Sequence, residues 1–83
     1  MNFFGIKAGS SVHTWYSFGA VKSFAKAGSS KFIVSFIDGD SLDVEVGFGM
    51  ADETIDLLIS GAEDNIKIEA ESITPTPNSL PDS

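Results

Sequence analysis

Lys31-Phe32-Ile33-Val34-Ser35-Phe36-Ile37-Asp38-Gly39-Asp40-Ser41-Leu42-Asp43-Val44-Glu45-Val46 is two β-rich runs around an Asp-Gly turn, and its register decides what kind of sheet the chain can build. A two-residue loop, Asp38-Gly39, would pair Ile37 with Asp40 and set Phe32 and Val34 opposite Glu45 and Asp43, which wastes the apolar face. A three-residue loop, Ile37-Asp38-Gly39, with Gly39 in the left-handed conformation of a bulge, pairs Val34 with Leu42 and Phe32 with Val44. It also sets Lys31 opposite Glu45, and it is the register expected.

The two strands differ. The second alternates, with Leu42, Val44 and Val46 on one face and Asp43 and Glu45 on the other, so one side is wet. The first is apolar on both: Phe32, Val34 and Phe36 point one way, Ile33 and Ile37 the other. A strand of that kind needs cover from two directions. The second cover is either the N-terminal third of the chain or another copy of the protein.

Downstream, Ala51, Ile55, Leu58, Ile59 and Ala62 fall at helical spacing, Gly61 suits the stop, and Asp52, Glu53 and Asp56 complement the helix N-terminus. Ile66, Ile68 and Ala70 then alternate with Lys67, Glu69 and Glu71 as a half-buried strand to about Ile73. Upstream, the composition favours strands near 2–7, 12–18 and 20–26, although Phe18, Val21 and Ala25 also fit a helix that Gly19 would weaken. Lys7-Ala8-Gly9-Ser10-Ser11 recurs as Lys26-Ala27-Gly28-Ser29-Ser30, and both copies read as turns feeding strands. The expected fold is therefore α+β, a single domain over 1–73. Its centre is a curled antiparallel sheet, with closure toward a small barrel left open, and one short helix over about 51–60 packs on one face. The tail, 74–83, holds all three prolines and little to bury, so it is expected to be extended and mobile unless a neighbouring subunit holds it.

Charge is divided along the chain. Residues 1–37 hold four of the five lysines and no acid, and all twelve carboxylates lie at or after Asp38, for a net charge of −7. Arginine is absent, so direct nucleic-acid binding is not expected. Cysteine is absent too, which removes disulfides and thiolate metal sites and leaves association as the staple for a chain of 83 residues. No stretch approaches the apolar length of a bilayer span and no signal-peptide pattern opens the chain, so no membrane contact and a cytoplasmic location are expected.

Candidate sites are few. Asp38, Asp40 and Asp43 suggest a calcium loop, but Leu42 at position five, no glycine at six and Gly49 at twelve break the ligand spacing. Gly47-Phe48-Gly49 lacks the third glycine and the lysine of a phosphate loop, and Asp52 and Glu53 would repel the anion. His13, the only histidine, has no serine in a nucleophile-elbow context. Trp15, Tyr16 and Phe18 near Lys22 and Lys26 read as core rather than as a base-stacking platform, with Tyr16 the member expected at the surface. No catalytic, cofactor or metal residue is assigned. The expected function is a non-catalytic protein-interaction or assembly subunit, homo-oligomeric through Ile33 and Ile37. The alternative is an acidic inhibitor or nucleic-acid mimic that fills a partner's basic groove with Asp38, Asp40, Asp43 and Glu45, joined by Asp52, Glu53 and Asp56.

Overall fold

The computed structural model describes residues 2–9, 12–61 and 65–77. Ser10 and Ser11 of the first repeated turn, Ala62 of the helical pattern and the tail from 78 onward lie outside them. The described residues form an α+β fold. Its strands are β1 (Phe3–Ala8), β2 (Thr14–Ser17), β3 (Val21–Gly28), β4 (Lys31–Phe36), β5 (Ser41–Glu45), β6 (Ile66–Ala70) and β7 (Ser72–Thr76), and its helix is α1 (Ala51–Ser60). A 3₁₀ turn, Phe18–Ala20, joins β2 to β3.

The strands divide over two sheets that are not closed into a barrel, ordered β2-β1-β6 and β3-β4-β5-β7. One pair departs from the antiparallel expectation: β1 and β6 run parallel, Phe4 beside Ile66 and Ile6 beside Ile68. Alternation sets which face a strand buries, not its direction, so Ile66, Ile68 and Ala70 serve the core equally well in a parallel pair.

The β4–β5 hairpin takes the three-residue register. Lys31 pairs with Glu45, Phe32 with Val44 and Val34 with Leu42. The Phe36 N–H donates to the Asp40 carbonyl at 2.9 Å, closing the loop over Ile37, Asp38 and Gly39, and Gly39 has φ +99°. An L side chain is strained there. Gly39→Ala is therefore expected to cost about 1–2 kcal/mol, read as a thermal midpoint lower by roughly 5–10 °C.

Phe4 and Ile6 of β1, Phe32 and Val34 of β4, Leu42 and Val44 of β5, and Ile66 and Ile68 of β6 meet between the two sheets. Helix α1 lies against β3 and β4 and closes this core with Ala51, Thr54 and Leu58. No side chain caps its N-terminus. Instead the Ala51 N–H donates to the Ser29 carbonyl at 3.1 Å, so the repeated-motif turn between β3 and β4 satisfies a donor that helix geometry leaves orphaned. Thr54 is buried with its hydroxyl donating to the Met50 carbonyl at 2.8 Å.

The chain passes from one sheet to the other at Glu71, whose N–H donates to the Glu45 carbonyl at 2.7 Å. Beyond it β7 pairs along β5, Ile73 beside Val44 and Thr76 beside Ser41. The single strand expected to about Ile73 is therefore two, β6 in one sheet and β7 in the other, and β7 runs three residues past the expected stop. Pro75 and Thr76 are held by the chain itself, and β7 is an edge strand, where proline's missing donor is tolerated.

Candidate functional site

Strand register places the residues singled out from sequence in three separate regions. The outer face of the four-stranded sheet carries Ile33 between Ala25 on β3 and Asp43 on β5, with Ser23, Ser35, Ser41 and Thr76 in the adjacent row. Ile33 is half-buried there. Its neighbours on this face are short and mostly polar. Ile37 does not share the face. Strand β4 ends at Phe36, and Ile37 belongs to the hairpin tip, 69% exposed, with its N–H donating to the Ala20 carbonyl at 2.9 Å.

The acidic residues scatter likewise. Asp38 and Asp40 lie at the hairpin tip. Asp43 faces outward from β5, its Oδ2 3.8 Å from the Lys31 Nζ, while Glu45 is exposed one pleat further on. Asp52, in the first turn of α1, meets the Lys26 Nζ at 3.1 Å. These exposed pairs contribute at most about 1 kcal/mol each. One groove-filling surface does not unite them.

Among the three aromatic neighbours it is Trp15, not Tyr16, that is the most exposed, while Tyr16 is half-buried. Gly5 on β1 pairs directly with Trp15 on β2, on the face away from the core. The indole lies over that glycine so closely that a Cβ there would come within 2.9 Å of the ring. Trp15 remains 45% exposed. Tyr16 and Phe18 point inward and pack on Phe4, with ring centroids 5.4 and 4.9 Å away. Alternation from Tyr16, paired with Phe4, dictates this outcome; the missing information was which strand β2 would pair with. His13 packs beside Trp15, ring centroids 5.9 Å apart, with its Nε2 buried and lacking a hydrogen-bond partner among the described residues.

A hollow of about 280 Å³ opens where the two sheets meet at the hairpin tip. Tyr16 from β2 and Phe36 from β4 form its wall, ring centroids 5.7 Å apart and inclined by 31°. Ser17, Ala20, Ile37, Asp38 and Asp40 complete the lining. A second hollow of about 200 Å³ shares Tyr16, Phe36 and Asp40 and continues past Leu42 to Pro75. Burial raises the Tyr16 phenol above its ordinary pKa, so the ring is neutral at neutral pH. The Asp38 Oδ1 accepts the Asp40 N–H at 2.9 Å, which fixes one carboxylate against the turn.

No protein-family model, curated protein or solved structure matches this chain. Its own geometry carries the functional argument. Among the described residues, no three His, Asp or Glu side chains come together as a metal site, and no helix is long and apolar enough to cross a membrane.

The surface feature that sequence reading passed over is Phe48. Gly47 to Met50 form a tight turn, the Met50 N–H donating to the Gly47 carbonyl at 3.0 Å, with Gly49 at φ +76° as a type II turn demands. Phe48 occupies the apex and is 91% exposed. Met50 follows it, partly exposed, and Leu57 lies on the same helical flank two turns on, also exposed. The signal was present in Gly47-Phe48-Gly49, a phenylalanine between two turn-forming glycines with no strand to bury it.

Proposed function

We propose that this protein is a non-catalytic interaction or assembly subunit that associates with further copies of itself, with the cytoplasm as its proposed location. The observation that carries this reading is Phe48, held at the apex of a tight turn and almost wholly in water. That turn position accepts most residues, so local geometry gives no reason for a large apolar side chain. Burying it against a partner is worth about 1.5–3 kcal/mol. Met50 and Leu57 are further exposed apolar side chains at the start and on the flank of α1, and Ile37 is exposed at the far end of β5, roughly 17 Å of strand away.

Two different apolar ends on one chain favour head-to-tail contact over a symmetric pair. Because each copy carries −7, raising salt screens repulsion and strengthens such contact. Light scattering over a concentration series is expected to give a mass above that of one chain, rising with salt. A single-chain mass at every concentration and salt would end the proposal.

A second reading, an acidic protein that engages a basic partner, draws support from the carboxylates beside the aromatic hollow rather than from a continuous acidic face. Its association would weaken with salt, the opposite sign.

A further inference from the structure

We infer that the outer face of the three-stranded sheet binds a nucleoside monophosphate, its base stacked on Trp15 and its phosphate held by Lys67. The inference goes beyond association through Phe48 and does not depend on it. Pairing puts Trp15 on β2, Gly5 on β1 and Lys67 on β6 in one row across that face. The indole lies flat. A Cβ on Gly5 would meet Cδ2 and Cε2, the bond that the two rings share, at 2.9 and 3.0 Å and Cε3 at 3.0 Å. The direction leaving the sheet therefore runs into the middle of the ring system, not its rim. One π-face is pressed on the backbone and the other is turned to water, which accounts for an indole 45% exposed. Gly5 leaves no side chain standing between the ring and Lys67.

Charge selects the ligand. Lys67 is exposed and makes no ion pair among the described residues, whereas Lys7 in the next row has Glu69 at 3.9 Å. The strands of this face thus set Lys7 and Lys67 against Glu69, a local +1 on a chain of −7. A cation over the indole would be repelled by Lys67, and a neutral sugar would leave that lysine unused. A planar ring carrying one anionic group satisfies both. Trp15 and Lys67 are two strand spacings apart, roughly 10 Å, a span that a ribose and the four-carbon lysine stem cover together. Purine matches indole in having two fused rings, and every base offers a π-face to an aromatic side chain. A nucleic-acid strand presents the same chemistry, but its further phosphates meet a chain of −7 that has no arginine. The free monophosphate is the occupant.

The test titrates the full chain with adenosine 5′-monophosphate and follows NMR, where Trp15 gives the only indole N–H signal. Saturable shifts are expected at that signal, at Gly5 and at Lys67. Adenosine with the parent chain, and the monophosphate with Lys67→Gln, should each bind about two- to fivefold more weakly, the worth of an exposed ion pair. Ribose 5-phosphate with the parent chain, and the monophosphate with Trp15→Ala, should each bind at least about fivefold more weakly, because stacking is lost. Phe48→Ser should bind as the parent does. If Trp15→Ala fails to fold, the ligand series and Lys67→Gln, at an exposed position, decide the matter alone.

Shifts centred elsewhere, equal binding of ribose 5-phosphate, or adenosine binding as tightly as its monophosphate would overturn the inference. A titration with hexaadenylate separates the free nucleotide from a strand. Affinity per base within about tenfold of the monophosphate supports the inference. Tighter binding that is lost steeply with salt makes a single strand the occupant and contradicts it.

Discussion

Phe4→Ala is expected to lower stability by about 3–5 kcal/mol, the usual range for deleting a buried phenylalanine. The residue is fully buried, and its ring meets Tyr16, Phe18 and Phe24 with centroids between 4.9 and 5.8 Å away. Tyr16 and Phe18 come from the β2 side, whereas Phe24 belongs to β3 in the other sheet. Phe4 therefore joins the sheets, and its loss opens a cavity that neither sheet can close alone. A domain of 83 residues has roughly 4–12 kcal/mol to lose, so the substitution removes between about a quarter and all of its stability. In urea the midpoint should fall by about 2–4 M. A shift under about 0.5 M would show that the aromatic cluster does not couple the sheets.

Leu58→Ala is expected to cost about 2–5 kcal/mol and to act first on the helix. Helix α1 buries only Ala51, Thr54 and Leu58, and Leu58 is the only large side chain of the three with no exposure. Ten residues are too few for a helix that persists undocked in water, where about 12–15 are marginal, so loosening the anchor melts the helix rather than releasing it intact. Amide exchange should accelerate over 54–60 more than in β4 and β5, and the helical circular dichroism signal should fall before the sheet unfolds. Ile59→Ala, at a position 59% exposed, provides the contrast and should stay within about 0.5 kcal/mol of the parent. Equal effects of the two substitutions would contradict this packing of α1.

Most of the fold was legible in local pattern. Wasting the apolar face of Phe32 and Val34 was enough to reject one hairpin register, and the helix followed from the spacing of Ala51, Ile55 and Leu58 together with Gly61. What stayed hidden is non-local. Nothing in the alternation of Ile66, Ile68 and Ala70 says that their neighbour is β1, or that the pair is parallel. The same gap misplaced Trp15: without knowing that Gly5 would lie opposite, the sequence gives no reason for the indole to cover a backbone and leave Tyr16 to the core. Ile33 and Ile37, four positions apart, read as one face by alternation alone, although the three-residue loop that the register favours already takes Ile37 out of the strand. The hollow was illegible for a related reason, since Tyr16 and Phe36 meet only once both sheets are in place. Phe48 was visible throughout, but its meaning needed a burial value.

The central claim, association through the apolar turn, is tested most directly by sedimentation velocity of the parent chain and Phe48→Ser at matched, rising concentrations. The substitution touches no core contact, so both proteins should unfold at the same temperature within a few degrees. The account predicts a sedimentation coefficient that climbs with concentration for the parent and stays at the single-chain value for Phe48→Ser. Identical, concentration-independent sedimentation of the two proteins would contradict it.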